Sequence, residues 1–498
     1  MAQLPMPASG RRLTALFAAA AILATTASTV SADPGFRTSA GPMLMPARDG
    51  VEVKALISVG DTVGGYMFEA IPDGVAIDPR GRNTLDIYVN HETSLEPFPA
   101  TKVDYTNALL SKLTLKRGSG KVLAGSYAIP SEANFQRFCS NFMAGPEHGF
   151  DRYIVLTNEE AVQTFNRVGT PSFPLGAGGS DPEQAGVVVA YDVDSGEYRT
   201  IHRMGRHNHE NSVALPGYDT IAVLSGDDTF SSNPPNSQLY LYTAPDTDTM
   251  WNDDGALWAF KADGADDDYY DVSFGEVLSG EFIRVPDAIA DGDQTALETW
   301  SQANGVFDFI RIEDIAYDRS TPNVVYLADS GRGSGGAPNG RIWRMELDPE
   351  DPSQVTSLYF MFDHDALGQK ALGAIHQPDN LETTAHSLLI TEDPSSGNTF
   401  APGSPDSTTA RIWRYDLHSG ELEVVLKVDQ ALDPAANLGS WEASGVVDAS
   451  QYFGNGAFLV TVQAHSVFVG DQVESPWIPG AIQKREGGQL LLVRIDGA

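Results

Sequence analysis

One unit recurs six times along this chain, and that recurrence restricts its possible folds more than any other feature. Each copy has a polar or acidic residue, a short apolar run, a turn, a second apolar run and a closing polar cluster. The first runs from Asp73 through GVAI and LDIYV to Asn90-His91-Glu92, and the second from Cys139 through YIVLT to Asn158-Glu159-Glu160. The third runs from Glu210 to Gly226-Asp227-Asp228, and the fourth from Glu313 to Asp329-Ser330. The fifth runs from Asp379-Asn380 to Thr391-Glu392-Asp393, and the sixth from Glu442 to His465. A further apolar segment follows each copy, at 111–115, 186–193, 238–242, 341–347, 411–417 and 489–495. These runs are short, bounded by Gly, Pro, Asn and Asp, and rich in β-branched and aromatic residues, so they read as strands. RIWRMEL and RIWRYDL are close copies, as true repetition requires.

The interval between copies, roughly 60–70 residues with one longer gap, leaves room for a four-stranded blade with long loops. The expected fold is all-β: a six-bladed β-propeller over residues 33–498, closed by its last strand against an early segment. The long gap spans about 243–309 and holds PDTDTMWNDDG and KADGADDDYYD. It lacks the spaced ligands and closing Glu of an EF-hand, so a solvated acidic loop is expected there.

Propeller geometry turns the repeat into a site. The innermost strands line the channel and run the same way, which brings their first residues to one mouth. The next strand is antiparallel, so its end lies beside the start of the first. The inner ring then reads Asp73, Cys139, Glu210, Glu313, Asp379-Asn380 and Glu442. The second ring reads His91-Glu92, Glu159-Glu160, Asp227-Asp228, Asp329, Glu392-Asp393 and His465. Carboxylates packed this closely repel one another, and burying them unpaired is costly. Metal ions, arginines or protons must hold them. Carboxylate and amide oxygens suit Ca²⁺, and a thiolate among carboxylates points to a redox-capable metal such as iron. A single acidic strand end would read as a solvated turn, but six at matching positions favour cations.

The chain's ends and bulk charge bound the setting. Arg11-Arg12, the apolar stretch Leu13–Leu23 and Val30-Ser31-Ala32 have the order of a secretory signal over residues 1–32. The arginine pair hints at twin-arginine export, although ordinary secretion also fits. Processing removes two arginines and takes the formal charge from −35 to −37. A chain this acidic repels nucleic acid. No later segment reaches membrane-spanning length. Cys139 is the sole cysteine, so no internal disulfide forms and the thiol is either inert or employed.

Other motifs carry less. His91-Glu92 and His209-Glu210 are halves of HExxH without the second histidine, and there is no G-x-S-x-G elbow or Walker loop. Gly331–Gly336 reads as a flexible connection. His202 and His207, near His209, read as surface residues.

VNHE at 89–92, Cys139 before a strand ending in Glu159-Glu160, His209-Glu210, and Arg311-x-Glu313 before an apolar strand follow one another over about residues 65–465. In that order they resemble motifs of the PhoX-type alkaline phosphatases, exported metal-dependent phosphatases of bacteria. The resemblance implies a six-bladed propeller with iron and calcium ions (Fe³⁺ and Ca²⁺) at its mouth and hydrolysis of phosphate monoesters. It implies that Cys139, Glu210 and Glu313 ligate metal, with the cysteine on iron. Arg311 would clamp the substrate phosphate beside Glu313, and Glu92, Glu159 and Glu160 would serve as further calcium ligands or supports. Asp379, Asn380 and Glu442 of the inner ring complete the candidate ligands. The family's Pro-Glu-Gly at the arginine motif reads Ile312-Glu313-Asp314 here. The expected protein is a monomer acting on a small phosphate ester, outside the cytoplasm. Two other classes share these features: a calcium-dependent lactonase-like propeller, and a non-catalytic propeller that uses metals for stability alone.

Overall fold

The computed structural model describes residues 35–498, except 265–266, 334–335, 370, 394–407 and 433–439. The expected signal segment lies outside the described residues, as does the centre of the Gly331–Gly336 loop. No helix among the described residues is long and apolar enough to cross a membrane.

The protein is a six-bladed β-propeller of antiparallel sheets. Its innermost strands are Pro72–Ile77, Phe138–Ala144, His209–Ala214, Ile312–Tyr317, Pro378–Thr383 and Trp441–Asp448. Each packs against the next, and the sixth packs against the first, so the ring is closed. The second strands are Thr84–His91, Ile154–Glu159, Ile221–Asp227, Val324–Asp329, Ser387–Glu392 and Ala457–Phe468. The terminal strand Glu486–Ile495 is third in blade six and pairs with Val51–Ser58, which supplies that blade's outer edge. Two distant chain segments thereby share one sheet, and no inner edge is left open.

Blade one also shows why these residues choose strands. Leu85, Ile87 and Val89 alternate along the second strand and are fully buried, the period-two pattern of a sheet face packed on its neighbour. Each blade-to-blade interface holds its own apolar cluster; Leu224 and Leu241 of blade three, for example, meet Ile315, Leu327 and Trp343 of blade four. Around the channel the inner strands approach backbone to backbone. A Cβ on Gly74 would lie 2.5 Å from the Asn141 nitrogen, and one on Gly445 would lie 2.5 Å from the Asp73 carbonyl oxygen. Only glycine permits that approach.

The 243–309 segment differs from the expected solvated loop. It carries the fourth strand of blade three, Ala256–Ala262, and an extra strand, Leu278–Arg284, which pairs with Gln354–Phe360 of blade four. Blades three and four are thereby joined at their outer edges into one nine-stranded sheet. Several acids there have local structural work: Asp246 caps the helix Thr247–Trp251, and Asp293 caps the helix Gln294–Asn304 through the Ala296 amide at 2.8 Å.

Candidate metal centre

Register fixes the site. The second residue of each inner strand is Asp73, Cys139, Glu210, Glu313, Asp379 or Glu442. Each strand's first residue pairs across the blade with a residue near the end of the second strand: Pro72 with His91, Phe138 with Glu159, His209 with Asp227, Ile312 with Asp329, Pro378 with Glu392, and Trp441 with Ala464. The position after each partner is Glu92, Glu160, Asp228, Ser330, Asp393 or His465, beside the inner ring. A register shift interrupts every one of the six pairings at or just after the ring residue. Such bulges re-aim side chains at strand ends. In four blades the residue two positions before the ring is left-handed without being glycine: Ile71, Arg137, Arg311 and Gln377, with φ of 46°, 41°, 65° and 49°. Backbone of this kind costs about 1–3 kcal/mol per residue and collects at functional sites.

The result is a run of overlapping ligand sets. Asp73, Glu92 and Cys139 form one; Cys139, Glu160 and Glu210 a second; Glu210, Asp228 and Glu313 a third, each with one ligand atom per residue lying within 4.8 Å of the others. Cys139 and Glu210 each belong to two sets. Asp73, Glu210 and Asp228 are at most 1 % exposed. Cys139 Sγ lies 2.8 Å from Asp73 Oδ2, and Ser444 Oγ donates to Asp73 Oδ1 at 2.5 Å. Gln463 Nε2 donates to Glu92 at 3.1 Å and to Asp73 at 3.3 Å. Glu210 Oε2 is buried without a hydrogen-bond partner among the described residues.

Electrostatics say the same. Burial, reinforced by neighbouring carboxylates, pushes Glu160, Glu210, Asp379 and Glu442 well above the usual carboxylate range. Glu92 is pushed to about 7 by burial and by Asp73. Burial and the surrounding acids also hold the Cys139 thiol well above its ordinary value. Among the described residues, Arg311 and His465 bring positive charge into the ring, and Arg137 acts on Glu92 and Glu160 from beside it. Arg311 donates to both oxygens of Asp228 at 2.8 and 3.0 Å and is in contact with Glu313. His465 lies 2.8 Å from Glu486 and 3.6 Å from Glu442. The ring acids outnumber them, and the donor set of carboxylates plus one thiol suits hard divalent and ferric ions.

The next residue along each inner strand closes the channel beneath this centre. Asn380 Nδ2 donates to Ser140 Oγ at 2.7 Å, Asn211 Nδ2 donates to Asp314, and Asp314 also accepts the Leu381 amide at 2.7 Å. Below this polar layer a cavity of about 320 Å³ opens on the opposite face.

Several expected ligands are placed otherwise. Glu159 turns away from the mouth into blade two, where Arg167 grips both its oxygens at 2.7 and 2.8 Å and the Gln136 amide adds a third donor. It is no ligand: along a strand Glu159 and Glu160 must face opposite ways. Asn380 belongs to the layer below the ring. Asp379 and Glu442 stand in the ring outside the three sets; Glu442 faces His465. Arg311, expected to clamp phosphate, is 4 % exposed and engaged by Asp228 and Glu313. His207, expected at the surface, is buried, stacked on Tyr240 and tilted against His209 with ring centroids 3.5 Å apart. Conversely, Asp73 and Asp228 complete the ligand sets although the motifs did not single them out. Their ring positions in the repeat were the available signal.

No family model matches the sequence, and no curated protein matches it. Solved structures do. The NanB sialidase of Streptococcus pneumoniae is 7 % identical with a TM-score of 0.40, covering 85 % of this chain and 68 % of that one. A protein of unknown function from Dyadobacter fermentans is 11 % identical with a TM-score of 0.43, covering 90 % and 100 %. The α-L-arabinanase of Penicillium chrysogenum is 8 % identical with a TM-score of 0.39, covering 90 % and 98 %. Likeness at this level carries no chemistry to the present chain.

Proposed function

We propose that the mouth holds a mixed calcium–iron centre and that the protein is an exported phosphate-monoester hydrolase of the PhoX type. The observation that carries this reading is the sharing of Cys139 between two ligand sets, linked through Glu210 to a third. Sets that share members hold neighbouring cations. Cys139 is the one soft donor and suits iron, and the carboxylates of the outer sets suit calcium. Glycoside hydrolysis asks instead for two carboxylates about 5–10 Å apart across an open cleft, whereas here ligand atoms converge in threes and are buried.

When bound, clustered cations neutralise the oxygens of a transferring phosphoryl group and activate water as nucleophile. The chain's own residues prepare the place. Arg311 holds Asp228 and Glu313 in orientation and offsets part of their charge. Asn380, Ser140 and Asp314 form a hydrogen-bonded polar layer below it.

The test is a chromogenic phosphomonoester assay with metal analysis on protein supplied with Ca²⁺ and Fe³⁺. Turnover is expected, with Cys139→Ala losing iron and at least 100-fold in kcat/KM together. Calcium without iron, no phosphate release and activity on a lactone would move the assignment to a lactonase-like propeller.

A further inference from the structure

The mouth is ringed by exposed apolar side chains. Among the described residues, every exposed large apolar side chain except Met45 and Tyr198 lies in a segment that joins blade strands on the mouth side, three of them (Val168, Val473 and Ile482) in short strands of those segments. Among the described residues the opposite face shows no such collection, and an asymmetry of this kind marks a working surface. Most of these residues stand at the periphery. Phe230 does not. It follows Asp228 by two residues, and its ring lies over the Arg311 guanidinium, 4.4 Å from centroid to Cζ. Arg311 in turn contacts Asp228 and Glu313 of the third ligand set. One ring face therefore covers Arg311, which holds the third ligand set, while the residue remains 50 % exposed.

The platform is fixed. The Arg332 guanidinium donates to the Phe230 carbonyl, and Tyr270 Oη donates to the Ser232 carbonyl at 2.9 Å. An exposed aromatic held in place binds without a large ordering cost. The positive charge beneath the ring also polarises it toward a second π-system above. A phosphate ester seated on the third ligand set would have this ring as a neighbour, because Phe230 follows Asp228 by two residues and lies over Arg311.

We propose that Phe230 is the specificity-determining residue of the mouth, stacking its outward face on the organic group of the substrate. The preferred substrates are then phosphate monoesters that carry an aromatic ring near the ester oxygen. The proposal rests on the phosphatase reading above.

Benzyl phosphate and methyl phosphate test it, because both release an unactivated alkoxide and differ chiefly in the ring. With the metal-supplied protein, kcat/KM should favour the benzyl ester. In Phe230→Ala that preference should fall about fivefold, and in Phe230→Trp it should return. Calorimetric titration of benzylphosphonate and methylphosphonate should show the same loss of discrimination in Phe230→Ala, with metal content unchanged. An equal fall for both ligands, or an unchanged ratio, would overturn the proposal while leaving the phosphatase reading intact. If the metal-supplied wild type hydrolyses neither ester, both readings fall together.

Discussion

Glu159 and Glu160 are adjacent in the chain and serve different purposes. Glu160 faces the mouth among other acids, while Glu159 is locked to Arg167 inside blade two. A sequence motif treats the pair as one feature; strand alternation separates them. Glu159→Gln should therefore cost about 3 kcal/mol of stability, the scale of a broken buried ion pair, with metal content unchanged. Denaturant titration and elemental analysis read the two halves of that statement. His202 gives a prediction in pH. It lies 3.5 Å from Asp253 and 2.9 Å from Glu183. Bonding to Asp253 first and Glu183 second raises its pKa to about 9. Because the folded value is raised, its stabilisation is complete below the ordinary histidine value near 6.5 and is lost as pH rises through 9. The melting-temperature gap between wild type and His202→Gln should close over that window. A constant gap would mean that the contact is steric. The partners that decide Glu159 and His202 stand on other strands, Arg167 on Thr164–Val168 and Glu183 on Ser180–Gln184, and no periodic pattern in the sequence pairs them.

The inner strands carry the site, and their apolar runs made them visible in advance. The six ring positions were legible because a repeated pattern in a closed ring places equivalent residues at equivalent heights. The devices that aim the side chains were not legible. The bulges follow the ring residues without a shared residue type, and the left-handed positions are Ile71, Arg137, Arg311 and Gln377, none a residue that announces φ > 0. Acid-rich composition likewise hid the outer strands of the 243–309 segment, because their pairing with blade four rests on a register that long-range contact alone sets. The close approach at Gly74 predicts a specific fragility. Gly74→Ala pushes a methyl into the Asn141 backbone and should destabilise the fold by about 1–3 kcal/mol. Since the shift falls between blades one and two, it should also weaken metal retention at Cys139. Equilibrium unfolding and dialysis against a mild chelator measure the two effects; unchanged retention would show the ring to be insensitive to that interface.

At the scale of the whole molecule, closure of blade six by Val51–Ser58 makes the ring a single unit, and the ring focuses acids from every blade on one axis. A formal charge of −35 does not by itself tell solvated acids from a site. Placement does, because Asp73, Glu160, Glu210, Asp228 and Glu313 are buried at the mouth in ligand sets that share members. On the proposed function, cations hold this mouth together. Elemental analysis of the protein, purified without chelator, is the decisive measurement, with melting measured before and after chelation. More than one bound cation per chain is expected, iron among them, together with a clear fall in melting temperature on chelation that added Ca²⁺ partly reverses. A metal-free protein that melts identically with and without chelator would contradict it.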